Sequence, residues 1–232
     1  MTGDLGNLRY ISPWYGGGMP PDPSLPNRRD ARRNRDLFIE HAKATFAEHG
    51  VDASLERIAR EAGLAIGTLY RHFPTRVDLL LAVFEPKLRD FLATAEAALK
   101  MADPWEGFLV FLEALCGAQA YDRGFNDFIA RRFPRDERTE VMHDRVCQLA
   151  RSILSRAQAA GVVRPDIAEA DLIALLWANS RIAEATRQVA PGVWRRHMHL
   201  VIDGFRAGDR HELPEPSLSP EQLYRVMARL GE

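Results

Sequence analysis

The chain has 232 residues, of which 46% are apolar and 27% charged, and its net charge is −1. That length buries a core without disulfide or metal staples, and the apolar share excludes wholesale disorder. The near-neutral balance excludes a protein that coats nucleic acid over its whole surface, so any duplex contact has to come from a locally basic part.

Residues 1–27 hold Gly16-Gly17-Gly18 and five prolines between Pro13 and Pro26. They carry neither the apolar core nor the clustered N-terminal Lys/Arg of a secretory leader, so they read as a mobile arm, taken to residue 29, with Trp14 and Tyr15 available for local docking. No apolar run approaches about 18 residues, so no membrane span is expected and a cytoplasmic protein is. Cys116 and Cys147 form no CxxC and lie inside helical patterns, which predicts reduced thiols rather than a disulfide or metal site.

From Ala31 onward the apolar period is helical almost throughout, and strand-like alternation is nearly absent. The pattern predicts a first helix over Ala31–His49 with the stripe Phe38, Ile39, Ala42 and Phe46, stopped at Gly50. Ser54 then reads as the N-cap of a short helix over Leu55–Glu61, although Arg57 at the third position leaves a capping box incomplete. Gly63 turns the chain into a third short helix over Ala65–His72. Pro74 breaks that helix, and Thr75 caps a long fourth one that Pro86 is expected to kink or split. Further helices are predicted over 104–121, 124–132, 136–160, 168–188, 192–207 and 219–230, with 208–218 as a linker. The fold class is therefore all-α: a three-helix unit over 30–76, a larger helical unit over 77–208, and a linker with a last helix over 209–232.

The informative stretch is residues 54–73, two short helices joined by a tight turn. Ala59 is small enough for a close helix crossing, and Gly63 takes positive φ at no steric cost. Ile58, Ala62, Leu64 and Leu69 are expected to face inward. Ala65, Ile66, Gly67, Thr68, Tyr70, Arg71 and His72 then occupy the outer face and start of the second helix, the surface that a helix-turn-helix inserts into the major groove of double-stranded DNA. Between residues 28 and 76, ten Lys/Arg face seven Asp/Glu, a local charge of +3 within a chain of −1. The excess is modest and falls where phosphate contact requires it.

Over about residues 33–82 the sequence resembles the tetracycline-repressor-like (TetR) family of regulators. The resemblance rests on Phe46 and Gly50, Ser54-x-x-x-Ile58-Ala59-x-x-Ala62-Gly63-Leu64, Gly67-Thr68-Leu69-Tyr70-x-His72-Phe73, and Arg76-x-x-Leu79-Leu80. That family usually has Thr at the position of Ser54 and Lys at that of Arg76, replacements that keep hydroxyl and charge. The resemblance implies phosphate contacts from Ser54, Thr68, Tyr70, His72 and Arg76, and base contacts from Ala65, Ile66, Gly67 and Tyr70. Ile66 and Gly67 make no bidentate hydrogen bonds, so discrimination would lean on thymine methyls, backbone approach and DNA shape. It also implies a homodimer built on the last two long helices of the larger unit, repression, and release from the operator by a small-molecule effector.

In that larger unit Trp105, Phe108, Phe111, Leu112 and Leu115, with Tyr121, Phe125 and Phe128 after them, are dense enough to line an apolar ligand cavity; plain core packing is the competing reading. Asn179 and Arg181, beside Trp177, interrupt an apolar helix, either as orienting groups in a pocket or on the helix's wet side. A buried Arg181 would need an acid, a ligand or water. His197 and His199 are two apart and so point to different sides of a helix. No HExxH, Gly-rich phosphate loop or Gly-x-Ser-x-Gly elbow is present, so neither an enzyme nor a cofactor or metal site is expected.

Overall fold

The computed structural model describes residues 28–120, 122–130, 136–208 and 211–230. Residues 1–27 of the predicted arm and Tyr121 lie outside them, whereas Arg28 and Arg29, expected to end the arm, begin the first helix. Among the described residues the chain forms ten helices: α1 (Arg28–His49), α2 (Leu55–Glu61), α3 (Ile66–His72), α4 (Arg76–Lys100), α5 (Pro104–Gln119), α6 (Arg123–Ala130), α7 (Glu137–Ala159), α8 (Glu169–Thr186), α9 (Val193–Phe205) and α10 (Pro220–Leu230). The all-helical expectation holds. The only extended pairing described is one antiparallel bridge between Val163 and Arg206, where the chain leaving α7 meets the chain leaving α9.

The helix ends follow local chemistry. Ser54 accepts the Arg57 amide at the start of α2, and Asp103 and Asp136 cap α5 and α7 in the same way. Thr75 does more than the expected single cap. Its hydroxyl accepts the Asp78 amide while the Asp78 carboxylate accepts the Thr75 amide, a reciprocal box that satisfies two otherwise orphaned donors.

Pro86 neither splits nor ends α4, which runs unbroken from Arg76 to Lys100. Pro86 itself is exposed, whereas Leu79, Leu80, Val83 and Phe84 before it and Leu88 and Phe91 after it are buried on one continuous stripe. The missing amide and the ring clash cost about 3 kcal/mol in an isolated helix. Burial of a single Leu or Phe returns about 1.5–3 kcal/mol, so a stripe spanning both sides of the proline carries the helix through it.

Two regions share the buried core. In the first, Phe38, Ala42 and Phe46 of α1 meet Val51, Leu55, Ile58, Leu69 and Phe73. In the second, α5 is central and packs on α4, α6, α7, α8 and α9. Helix α4 belongs to both, packing on α1 as well as on α5, α6 and α7.

Candidate nucleic-acid interface

Helix α1 is the spine on which α2 and α3 are mounted. The buried Thr45 hydroxyl donates to the Glu61 carboxylate at 2.9 Å, and Arg57 pairs with the same carboxylate at 2.6 Å, fixing α2. Arg35 lies 4.4 Å from the centroid of the Phe73 ring and donates to the His72 carbonyl at 3.5 Å, fixing the end of α3. Ile58 and Leu69 are fully buried between the two short helices, with Ala62 and Leu64 half-buried beside them. Gly63 makes the turn at φ 69°, and a Cβ there would meet no atom within 4 Å, so backbone conformation alone selects glycine.

That mounting turns one face of α3 to solvent. Ala65, Gly67, Tyr70 and Arg71 are exposed, and Ile66, Thr68 and His72 are half-buried along its margins. Tyr70 is 45% exposed, one of the few large apolar side chains left in water. Ala65 is the N-cap and offers no side-chain acceptor to the first amides of α3. Arg71 folds back on its own helix, its Nε donating to the Gly67 carbonyl at 3.2 Å and its Nη2 to the Thr68 hydroxyl at 3.0 Å. Thr68 and Arg71 thus stand as a pair, and a phosphate would compete with that internal bond for both. Gly67 has open space where a side chain would stand, so nothing keeps another molecule's backbone from approaching α3 there.

The ring of His72 packs 6.1 Å from Phe38 and 6.4 Å from Phe73. Desolvation, and then the charges of Arg35 and Arg71, push its pKa below the usual imidazole range. The shift favours the uncharged imidazole, whose ring N–H can still donate to a phosphate oxygen. Ser54 is exposed and already committed at its cap, its hydroxyl donating to Glu56 at 2.7 Å while accepting the Arg57 amide. The position of Arg76 differs most from expectation. Its Nη1 turns back to donate to the carbonyls of Val51 and Ala53 at 2.8 and 2.7 Å. The side chain expected at a phosphate braces the α1–α2 turn.

The rings singled out in the larger unit pack in separate groups. Trp105 and Phe108 pack beside Phe205, with the Arg206 guanidinium 3.8 Å from the Trp105 ring. Phe111 meets Phe91, while Phe125 and Phe128 flank Phe84 at the other end of α4, near Phe46. Leu112 and Leu115 are buried with them. Trp177 is half-buried, and buried Asn179 meets His197 Nδ1 at 3.4 Å. Arg181 is on the wet side, 80% exposed at its side chain and paired with Glu184. His197 and His199 diverge as expected, the latter pairing with Glu113 at 3.1 Å. Cys116 is buried, which pushes its thiol up to about 12, and Cys147 is half-buried beside His143; both are unbridged.

Two family models match the chain in succession. Residues 38–83 match the model of bacterial regulatory proteins of the tetR family, and residues 103–207 match that of the transcriptional regulator SbtR-like C-terminal domain. A TetR transcriptional regulator from Streptomyces coelicolor, SCO0520, is 30% identical over 75% of this chain and 98% of its own, with a TM-score of 0.49. The chain belongs to the TetR family. The TetR family regulator PfmR from Thermus thermophilus is 26% identical over 75% of this chain and 99% of its own, with a TM-score of 0.51. An HTH-type transcriptional regulator of Staphylococcus aureus is 44% identical over 66 residues, 28% of this chain. That match covers 36% of the regulator's length, about a third. Among the described residues of this TetR-family chain, no helix is long and apolar enough to cross a membrane, and no group of three or more His, Cys, Asp or Glu side chains is placed to hold a metal ion.

Proposed function

We propose that the protein is a cytoplasmic homodimeric repressor whose residues 30–76 bind an operator in duplex DNA and whose residues 77–208 bind a small-molecule effector that releases it. The observation that carries the DNA reading is the outer face of α3: Tyr70 held exposed, Gly67 leaving room for backbone approach, and Thr68, Arg71 and His72 around them as donors, all on a short helix rigidly mounted on α1 and α2. Tyr70, Thr68, Arg71 and His72 supply affinity through phosphates, joined by Ser54 when its hydroxyl exchanges Glu56 for a phosphate, while Ala65, Ile66 and Gly67 lie against base edges. Arg76 serves the site indirectly, by holding the turn that leads into Ser54 and α2.

The dimer reading rests on α8 and α9. Ala174, Ala178, Arg181 and Ala185 recur at spacings of four, three and four along one exposed line of α8. On α9, Leu200 is 62% exposed and Val193 38%. Alanines flanking Arg181 on α8, together with exposed aliphatics on α9, suit a second copy of the same two helices packed about a two-fold axis. Each dimer would then present two α3 helices, to be seated about 34–36 Å apart in successive major grooves. Selection of bound duplexes from random sequence tests this: near-palindromic sites are expected, and recovery of sequence-blind or single-strand binding overturns it.

Effector release is proposed through the core around α5. The interior apolar side chains of Trp105, Phe108, Phe111, Leu112 and Leu115 have to repack to admit a ligand, and such repacking shifts α4 and the helices it joins. Reciprocity is the check. An effector that weakens operator binding about 5–150-fold must itself bind the operator complex more weakly by the same factor. Equal affinity for free and operator-bound dimer would rule the mechanism out.

A further inference from the structure

Helix α6 is seated on the end of α1 at very short range. A Cβ on Gly124 would lie 2.7 Å from both the Phe46 Cβ and the Phe46 carbonyl oxygen, so any side chain at Gly124 forces the two helices apart. On the facing side Gly50 has φ 80°, and a Cβ there would collide with the Asp127 carboxylate. Glycine is therefore demanded at both positions, at Gly124 by the nearness of the Phe46 backbone and at Gly50 by its positive φ. Through this gap Asp127 Oδ2 accepts the Val51 amide at 3.3 Å. The Val51 carbonyl is held from the other side by Arg76 Nη1. One buried residue of the α1–α2 turn is thus gripped at its N–H by α6 and at its C=O by the first residue of α4.

Helix α6 is also fixed to α4. Asp122, just ahead of it, pairs with Lys87 at 3.0 Å, and Lys87 lies 4.3 Å from the Phe125 ring centroid. Phe125 and Phe128 stand 5.8 and 5.2 Å from Phe84. The turn 50–54 runs directly into the Ser54 cap and α2, and α2 sets the attitude of α3.

We infer that Asp127 is a positioning residue for the DNA-binding head. By holding the Val51 amide it makes α6 a direct link from the helical body to α2 and α3, in parallel with α4. A displacement of α6 reorients the α2–α3 pair by pulling on one turn, without requiring α4 to bend. The effect on operator binding rests on the DNA-binding reading above; the mechanical link does not.

The test uses the full-length protein with Asp127→Ala, Asp127→Asn and Gly124→Ala. Amide exchange is read at Val51 and, as the control, along α5 and α7. Spin labels at Arg60 and Glu106, introduced as cysteines with Cys147→Ser and diluted with unlabelled protein, report head-to-body distance within one protomer. In Asp127→Ala, Val51 is expected to exchange about tenfold faster or more, as loss of a bond to a charged acceptor implies. The α5 and α7 amides stay unchanged, and the label distances broaden. Asp127→Asn, which keeps an acceptor oxygen, restores part of the protection, and Gly124→Ala shifts the mean distance. Affinity for a selected operator falls several-fold in Asp127→Ala while the salt dependence of non-specific duplex binding is unchanged. Unaltered Val51 exchange and label distances would overturn the proposal, as would an exchange increase spread evenly through α5 and α7, which marks a general stabiliser. A wild-type protein that binds no duplex would refute the DNA-binding reading instead, with exchange and distance still deciding the link.

Discussion

Replacing Arg76 by alanine separates two jobs that a cation at the start of α4 can do. If the guanidinium contacts a phosphate, its removal lowers DNA affinity and reduces the slope of log affinity against log salt by about one. The structure assigns the other job: one Nη1 bonded to two carbonyls, Val51 and Ala53, at 2.8 and 2.7 Å. A hydrogen bond to a charged group is worth about 1.5–3 kcal/mol. Both bonds share one nitrogen, and the guanidinium is half-buried, so a combined loss near ~2 kcal/mol is the appropriate scale. For a chain of this size each kcal/mol moves the melting midpoint by about 2–4 °C, which gives a fall of about 4–8 °C. Calorimetry and a salt titration on one DNA duplex measure both quantities. The brace predicts a lower melting temperature with an unchanged salt slope. An unchanged melting temperature with a slope reduced by about one would place Arg76 on a phosphate instead of the turn.

Other consequences follow from the same geometry. Tyr70→Ala is expected to weaken binding to all duplexes alike, by roughly tenfold on the scale of ~1–1.5 kcal/mol for a lost contact, whereas substitutions of Ile66 alter which duplexes are preferred; binding panels distinguish the two patterns. Leu200→Glu places a carboxylate on the exposed aliphatic face of α9 and is expected to yield monomers by sedimentation, with the fold intact by circular dichroism. Asp78 has its pKa lowered by the Thr75 hydroxyl first and then by Arg138 and the Thr75 amide, partly offset by burial. A carboxylate lowered in the folded state stabilises at pH values above its ordinary 3.8, and that contribution is lost as pH falls through the folded-state value. Asp78→Asn should therefore lower stability at neutral pH and narrow its gap to the parent on acidification, as read by denaturant midpoints across pH.

Much of the head was legible because its signals are local. Ser54 caps because a hydroxyl three residues ahead of an amide can, and Gly63 turns because it lacks a Cβ; both act within a few residues. The Tyr70 face follows from counting a helical period outward from Leu69. What escaped the sequence acts over distance. Arg76 reaches back 25 residues to Val51, and Asp127 reaches 76 residues to the same place. Gly124 looks like an ordinary helix glycine until Phe46 is beside it. Pro86 does not split α4 for a related reason: propensity weighs a proline in isolation, and the buried stripe that carries α4 through it is a tertiary quantity. The aromatic density around Trp105–Phe128 was visible, but density does not reveal that the rings divide between Phe205 at one end of the core and Phe84 at the other.

The central claim is that the outer face of α3 reads duplex DNA, and the direct measurement is selection of bound sequences from a random duplex pool by the full-length protein, repeated with Ile66→Ala and Tyr70→Ala. The parent is expected to select one near-palindromic site, with half-site centres about one helical turn apart. Ile66→Ala is expected to select an altered site, and Tyr70→Ala the parental site at uniformly reduced affinity. Enrichment of no common site by the parent, or one site recovered unchanged at unchanged affinity by both variants, would contradict that claim.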